Sequence, residues 1–426
     1  MNQGPLAILN RDARVLFAAR TGRMFAYGFV SVILVIYLAA LGFDGLHIGL
    51  LLTLTLVGDA AISLWLTTHA DALGRRRVLQ VGALLMAGAG IAFTLSGNFW
   101  ILLVAATIGV ISVSGSEVGP FIAVEQASLS HLLPARERTR VFAWYSLVGS
   151  FAVALGALAA GSLVSGLRAI GASPIDSDRA VVVGYALVGV LLWIGFRLLS
   201  PAIELDAADQ STIAGRLGLH RSRATVFRLS GLFGLDAFGG ALVAQSLVAY
   251  WFTLRYGAQP VLLGVLFFVA NVLAGLSALV AASLAKRIGL IRTMVFTHLP
   301  GNVLIIALPL MPNLLLAALV LFARFSVNQM DIPARQSYLL AVVDPDERSA
   351  AGGVTAIART LSAAPAPLLS TPLIGVAALA SIPFFVGGAL KLTYDLALYI
   401  LFRALHPPEE APVITEVTAL DASGPR

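Results

Sequence analysis

The run Asp71-Ala-Leu-Gly-Arg-Arg-Arg77 stands between two long apolar stretches, and a weaker copy of it returns 215 residues later. There Lys286 takes the place of Asp71, Gly289 that of Gly74 and Arg292 that of Arg77. The same offset carries Gly42 onto Gly257, Gly49 onto Gly264 and Asn98 onto Asn313. Further along it falls to 210, which sets Glu137-Arg138 on Glu347-Arg348. The second half therefore repeats the first, five residues shorter in one hairpin region. A duplicated array of apolar segments, with a charged turn after its second member, restricts the fold more than any single residue does.

The apolar segments are membrane spans. Hydrophobic residues make up 58% of the chain and charged ones 12%, about half the share of a soluble domain. Stretches of roughly 20 apolar residues match the hydrocarbon thickness of a bilayer. Twelve are expected: 15–41, 46–68, 78–97, 99–130, 141–165, 180–199, 228–254, 259–284, 291–311, 313–335, 348–371 and 377–402. The fourth is too long for one straight span, and Pro120 is placed to kink it. The pattern predicts an all-α membrane protein of two pseudo-symmetric six-helix bundles. Residues 1–199 form the first bundle and 228–405 the second. A linker over 200–227 joins them, and an acidic, Pro-containing tail over 406–426 is expected to be disordered.

Basic residues set the orientation. Arg11, Arg14, Arg75 to Arg77, Arg136, Arg138, Arg140, Arg216, Arg221, Arg223, Lys286, Arg287, Arg292, Arg348 and Arg403 fall on one side, against Arg168, Arg179 and Arg255 on the other. The positive-inside rule places both termini and the linker in the cytoplasm. The net charge of +6 is this bias and not a nucleic-acid patch, because the basic residues are dispersed with no stacking aromatics between them. The first apolar stretch is too long for a cleavable signal peptide. The absence of Cys removes disulfide and thiol chemistry. The six His form no ligand cluster, so neither a metal nor a cofactor is expected.

Six spans, a basic linker, six more spans and Asp71-x-x-Gly74-Arg75-Arg76-Arg77 after the second resemble the major facilitator superfamily of secondary transporters, over about 1–405. That resemblance implies two bundles rocking about a midplane cavity. It also implies that Asp71, Gly74, Arg75, Arg76 and Arg77 form a conformational gate on the cytoplasmic side. It implies a monomer in the plasma membrane, of the bacterial inner-membrane type. The chain departs from the family pattern at Thr67, where Gly is usual. It also lacks the span-four Arg of drug/proton antiporters, near Ala105, and their Gly-Pro pair in span five.

Charges inside hydrocarbon are costly and tend to be functional. Asp59, Glu117 and Asp236 are candidate proton carriers. Arg23, Tyr27, Gln245, Asn271, Arg324 and Asn328 are candidate substrate ligands. Arg23 lies ~14 Å beyond Arg14, and Asp59 ~18 Å before Asp71, at the helical rise. The two are thus expected to meet on neighbouring spans, while Arg20 snorkels to the interface. Glu125 and Arg335, equivalent under the 210 offset, are expected to pair across the bundles as a second gate. Arg324, Asn328, Asp331 and Arg335 share one stripe of a continuous helix ten, with Asp236 as a structural partner for Arg324. Trp65, Trp100, Trp193 and Trp251 are read as an interfacial belt.

No nucleophile-base arrangement, phosphate loop or metal cluster supports an enzyme. The chain is expected to move a small, anionic or amphiphilic solute by alternating access, coupled to protons, with export favoured. A proton-coupled uptake symporter or a uniporter is the alternative within the class. A channel or non-transporting sensor is the alternative outside it.

Overall fold

The computed structural model of the chain describes residues 9–69, 73–117, 121–204, 220–327, 329–344 and 347–403. Asp71, Pro120, Asn328, most of the linker and the tail lie outside the described residues. Apolar runs in lipid can satisfy their backbone N–H and C=O groups only within a helix, unless they close into a barrel. The described residues accordingly hold seventeen α-helices, and no strand occurs among them.

In the first half these are α1 (Arg11–Ser31), α2 (Leu34–Ala40), α3 (Gly45–Thr68), α4 (Arg75–Leu95), α5 (Phe99–Ile108), α6 (Phe121–Leu132), α7 (Ala135–Ala169) and α8 (Pro174–Arg197). In the second they are α9 (Arg223–Ala241), α10 (Gln245–Tyr256), α11 (Pro260–Ile288), α12 (Leu290–Ala307), α13 (Leu314–Phe325), α14 (Asp331–Ala341), α15 (Arg348–Ala363), α16 (Ala366–Ile374) and α17 (Ile382–Phe402). In one bundle α1 packs on α7 and α8, and α4 on α8. In the other α9 packs on α15 and α17, and α12 on α14 and α17.

Eight helical stretches among the described residues are long and apolar enough to cross a bilayer, and nine if α1 and α2, bent by 43°, count as one. The other three expected spans, the fourth, tenth and eleventh, are each broken into shorter helices. Among the described residues the helices break at 32–33 in the first span, 109–117 in the fourth, 242–244 in the seventh, 326–327 and 329–330 in the tenth and 364–365 in the eleventh. Gly109 and Gly115, with Ser112, Ser114 and Ser116 beside them, have weak helix propensity, so the fourth span unwinds. The breaks at Val32-Ile33 and Leu242-Val243-Ala244 contain no such residue, so tertiary packing sets them.

The bundles meet at the end opposite the basic loops. There α3 packs on α16, α7 on α11 and α2 on α10. A Cβ on Gly161 of α7 would lie 2.3 Å from the Pro260 carbonyl oxygen. One on Gly264 of α11 would lie 2.9 Å from that of Ala157, so only glycine permits this crossing. The Val261 N–H donates to Ser165 Oγ at 3.0 Å, and the Leu368 N–H to Thr53 Oγ1 at 3.2 Å.

At the basic end two carboxylates pin the linker. Gly74 and its repeat Gly289 both adopt positive φ, 92° and 86°, a region that L side chains avoid. Glu204, which ends the turn after α8, accepts from the Arg75 N–H at 2.7 Å and the Arg76 N–H at 3.1 Å, capping α4. Glu347 accepts from the N–H groups of His220, Arg221 and Ser222 at 2.6, 2.8 and 2.9 Å, where α9 begins. Burial opposes the Glu347 charge, but those backbone donors outweigh it and hold the carboxyl down at about 2. A depressed carboxylate stabilises the fold above its unfolded value of about 4.3 and ceases to do so as the pH falls toward 2. Glu347→Gln should therefore lower the unfolding temperature of purified protein at neutral pH. It should also flatten the decline of that temperature between about pH 4.5 and 2. Parallel wild-type and variant curves would show that the cap contributes nothing.

Candidate functional site

Two clusters of charge lie inside the spans, one in each bundle. In the first bundle Arg23, fully buried on α1, donates to Glu125 of α6 through Nη1 at 2.6 Å and Nη2 at 2.8 Å, a bidentate pair. Its Nε reaches Glu117 Oε1 at 3.0 Å. Arg20, one helical turn away, donates to Glu117 Oε2 at 2.6 Å and to the Tyr145 carbonyl at 2.8 Å. The Tyr145 hydroxyl donates to Glu125. Arg20 lies over the Tyr145 ring and Arg23 over that of Phe121, at 4.2 and 4.4 Å. Two arginines and two glutamates thus make a neutral group.

Two sequence expectations change here. Arg20 turns inward to Glu117 instead of snorkelling. Arg23 pairs with Glu117 and Glu125 and not with Asp59, because the unwound stretch after Ile108 brings span four against α1. Asp59 accepts from Ser63 Oγ on its own helix at 3.3 Å.

In the second bundle Asp236 of α9 is the hub. Its Oδ2 accepts from Arg335 at 3.2 Å and Arg359 at 3.1 Å, and Lys391 donates to Oδ1. Arg335 also reaches Asp331 at 3.1 Å. His298 of α12 lies 2.8 Å from Asp395 through Nδ1 and 3.6 Å from Asp236 through Nε2. Asn302 donates to the other Asp395 oxygen at 2.8 Å. Arg335, Arg359 and Lys391 thus face Asp236, Asp331 and Asp395, with His298 between Asp236 and Asp395. The predicted Glu125–Arg335 gate does not form, since each partner is neutralised within its own bundle.

The two clusters carry opposite charge at one equivalent position. Under the 210 offset Glu125 matches Arg335, whose guanidinium lies 5.6 Å from the Phe233 ring. Arg359 matches Gly149, the residue against which Arg20 lies.

Between the clusters the broken spans touch. Gln245, the first residue of α10, donates to Ser31 Oγ at the end of α1, 2.9 Å away, and accepts from Asn271 of α11 at 3.2 Å. The Ser246 N–H donates to the Val113 carbonyl in the unwound fourth span at 3.4 Å. These bonds form a neutral clasp across the bundles at mid-membrane depth. Tyr27, fully buried, lies one turn before Ser31 on α1.

The expected stripe on helix ten is interrupted. Arg324 sits at the end of α13 and Asp331 starts α14, so the two are not on one helix, and Asn328 lies outside the described residues. Arg324 does not meet Asp236, whose oxygens are taken by other cations. Its Nε is buried without a hydrogen-bond partner. Of the gate residues, Arg75 and Arg76 donate to the Ile203 and Arg197 carbonyls of their own bundle, and Arg77 is exposed. Trp65 and Trp100 are exposed as a belt requires, whereas Trp251 is buried among Phe252, Tyr256 and Phe384.

Tyr145, Glu204 and the cap made by Glu347 carried no sequence signal beyond the repeated Glu-Arg pair at 347–348. His298 and Asn302 were visible as a one-turn pair, but Asp395 is what joins them.

The Major Facilitator Superfamily model matches residues 16–367. The chain is 30% identical to the uncharacterized membrane protein YJR124C of Saccharomyces cerevisiae, over 92% of this chain and 94% of that one. Among solved structures it is similar in fold to a D-xylose-proton symporter, with a TM-score of 0.70, 14% identity, and 91% and 97% of the two chains covered. The nucleoside transporter NupG superposes with a TM-score of 0.69 at 13% identity, over 92% and 100%. A bacterial homologue of the iron transporter ferroportin, in an inward-facing state, gives 0.69 at 12%, over 92% and 98%.

Proposed function

Since the chain belongs to the major facilitator superfamily, we propose that it carries a small solute across the membrane by moving its two bundles in turn about the Gln245 clasp. The observation that supports this most is how the bundles are joined. The ion pairs described above each form within one bundle, and the described contacts between the bundles are neutral hydrogen bonds and glycine crossings. A neutral hydrogen bond contributes only about 1 kcal/mol net. Such an interface can part without exposing an unpaired ion, as alternating access requires.

With the basic loops and both termini in the cytoplasm of a plasma membrane, the clasped end is external and this state opens inward. Asp71, Gly74 and Arg75 to Arg77 then close the cytoplasmic side in the opposite state. Proton coupling is assigned to Glu117, which bridges two arginines and keeps 13% of its side chain accessible. Its protonation would remove the ion pair of Arg20 and leave Arg23 to Glu125 alone. Asp59, half-buried on α3, is the second carboxylate available for this task. The transporter works as a monomer, because the cavity lies between the two halves of one chain.

A reversible lock tests the reading without knowledge of the solute. In this Cys-free chain, Ser165→Cys with Val261→Cys should form a disulfide across the clasped end. A third Cys, at the buried Ser31, reports opening. Under oxidation Ser31→Cys should resist a membrane-impermeant maleimide from both sides. After reduction it should label from the side opposite the basic loops. Equal labelling in both conditions would end the alternating-access reading.

A further inference from the structure

Every buried cation described so far has a partner except one. Arg20 and Arg23 are held by Glu117 and Glu125, and Arg75 by the Ile203 carbonyl. Arg335 and Lys391 are held by Asp236. Arg324 is 7% exposed, and among the described residues it makes no hydrogen bond and no ion pair. Its nearest charge-sensitive neighbour is the Phe325 ring, 5.3 Å from the guanidinium carbon. It lies ten residues into α13 from the clasped end, ~15 Å deep and so near the bilayer midplane. It also borders the break at 326–330, where irregular backbone is tolerated only against protein or a water-filled cavity.

An unpaired guanidinium at that depth is strongly unfavourable. It is retained in spite of its effect on stability, which is the mark of a group that waits for a ligand. We infer that Arg324 binds the carboxylate of a monoanionic solute, and that this is the substrate class of the transporter proposed above, on which the inference rests. Charge fixes the valence. Arg324 itself carries one unpaired positive charge, and a single negative charge neutralises it. Shape fixes the head group. A planar fork of N–H donors matches two coplanar oxygens. A phosphate dianion would overshoot the neutralisation by one charge.

Thermal unfolding of the purified full-length protein tests this, with straight-chain monocarboxylates from acetate to octanoate as probes. Their methyl esters and inorganic phosphate serve as controls. At least one carboxylate should raise the wild-type unfolding temperature saturably, and its ester and phosphate should not. Arg324→Lys keeps the charge but loses the fork, and should weaken the apparent affinity about tenfold. Arg324→Leu should abolish the response while unfolding at a higher temperature than ligand-free wild type, because it removes an unneutralised buried charge. No response to any carboxylate, an equal response to the esters or phosphate, or an undiminished response in Arg324→Leu would overturn the assignment. So would an Arg324→Leu variant less stable than wild type, since that marks a structural arginine. The Ser165–Val261 lock is read without any ligand. A working lock with no carboxylate response sinks the substrate class alone, whereas a failed lock sinks the carrier.

Discussion

Asp236→Asn is expected to leave the carboxy-terminal bundle unable to hold its fold. The carboxylate is buried and receives Lys391, Arg335 and Arg359 at once. Asparagine can accept from one of them and repels none, but it neutralises none either. Breaking a buried ion pair by removing one partner costs about 3–5 kcal/mol, because the survivor is left unneutralised. Here three survivors face one another, with Asp331 bound to only one of them. A loss at the upper end of that range is a large part of the stability of an ordinary domain. Removing one of the orphaned charges as well, in Asp236→Asn with Lys391→Met, should recover part of the loss. Unfolding temperature and size-exclusion profile in detergent measure both variants. A single variant as stable as wild type would show that the three cations are solvated and that Asp236 is no hub.

The second large effect concerns balance between states and leaves each bundle intact. Gly161→Leu puts a branched side chain where even a Cβ would lie 2.3 Å from the Pro260 carbonyl oxygen. The strain falls on the crossing of α7 and α11, and rocking the bundles apart at the clasped end relieves it. Overpacking costs about 1–3 kcal/mol, and a bias of that size shifts a two-state equilibrium by roughly 5–150-fold. Ser31→Cys should then label from the side opposite the basic loops at a correspondingly faster rate, with unchanged folding. Gly231→Leu is the control, since a Cβ there meets nothing within 4 Å. Unchanged labelling in Gly161→Leu would mean that this crossing does not set the resting state.

The duplication was legible because glycines at turns and crossings keep their place in a repeat: Gly49 with Gly264 and Gly74 with Gly289 mark equivalent positions in both halves. The membrane class and the polar residues inside spans were legible from hydropathy alone. Partner choice was not. Reading depth along straight helices paired Arg23 with Asp59, yet the fourth span unwinds and presents Glu117 in its place. The same assumption drew one stripe from Arg324 to Arg335 across a break that the chain makes at 326–330. Interrupted helices are a tertiary outcome, and the apolar breaks after Ser31 and Ala241 have no local signature to read. Asp236 was visible as an isolated carboxylate, but its three cations come from spans ten, eleven and twelve, which no periodicity joins.

The pairing of each ion cluster within its own half bears on how such a chain is made. A ribosome delivers the spans in order, and the first six wait in the bilayer while the rest are synthesised. A bundle whose buried charges took partners from the other half would have to hold them unpaired until that half arrived. Instead Arg20 and Arg23 find their acids within the next hundred or so residues, and Asp236 finds its cations within its own half. The amino-terminal bundle can therefore settle in lipid as soon as its sixth span emerges, with no buried charge left waiting for a partner still inside the ribosome.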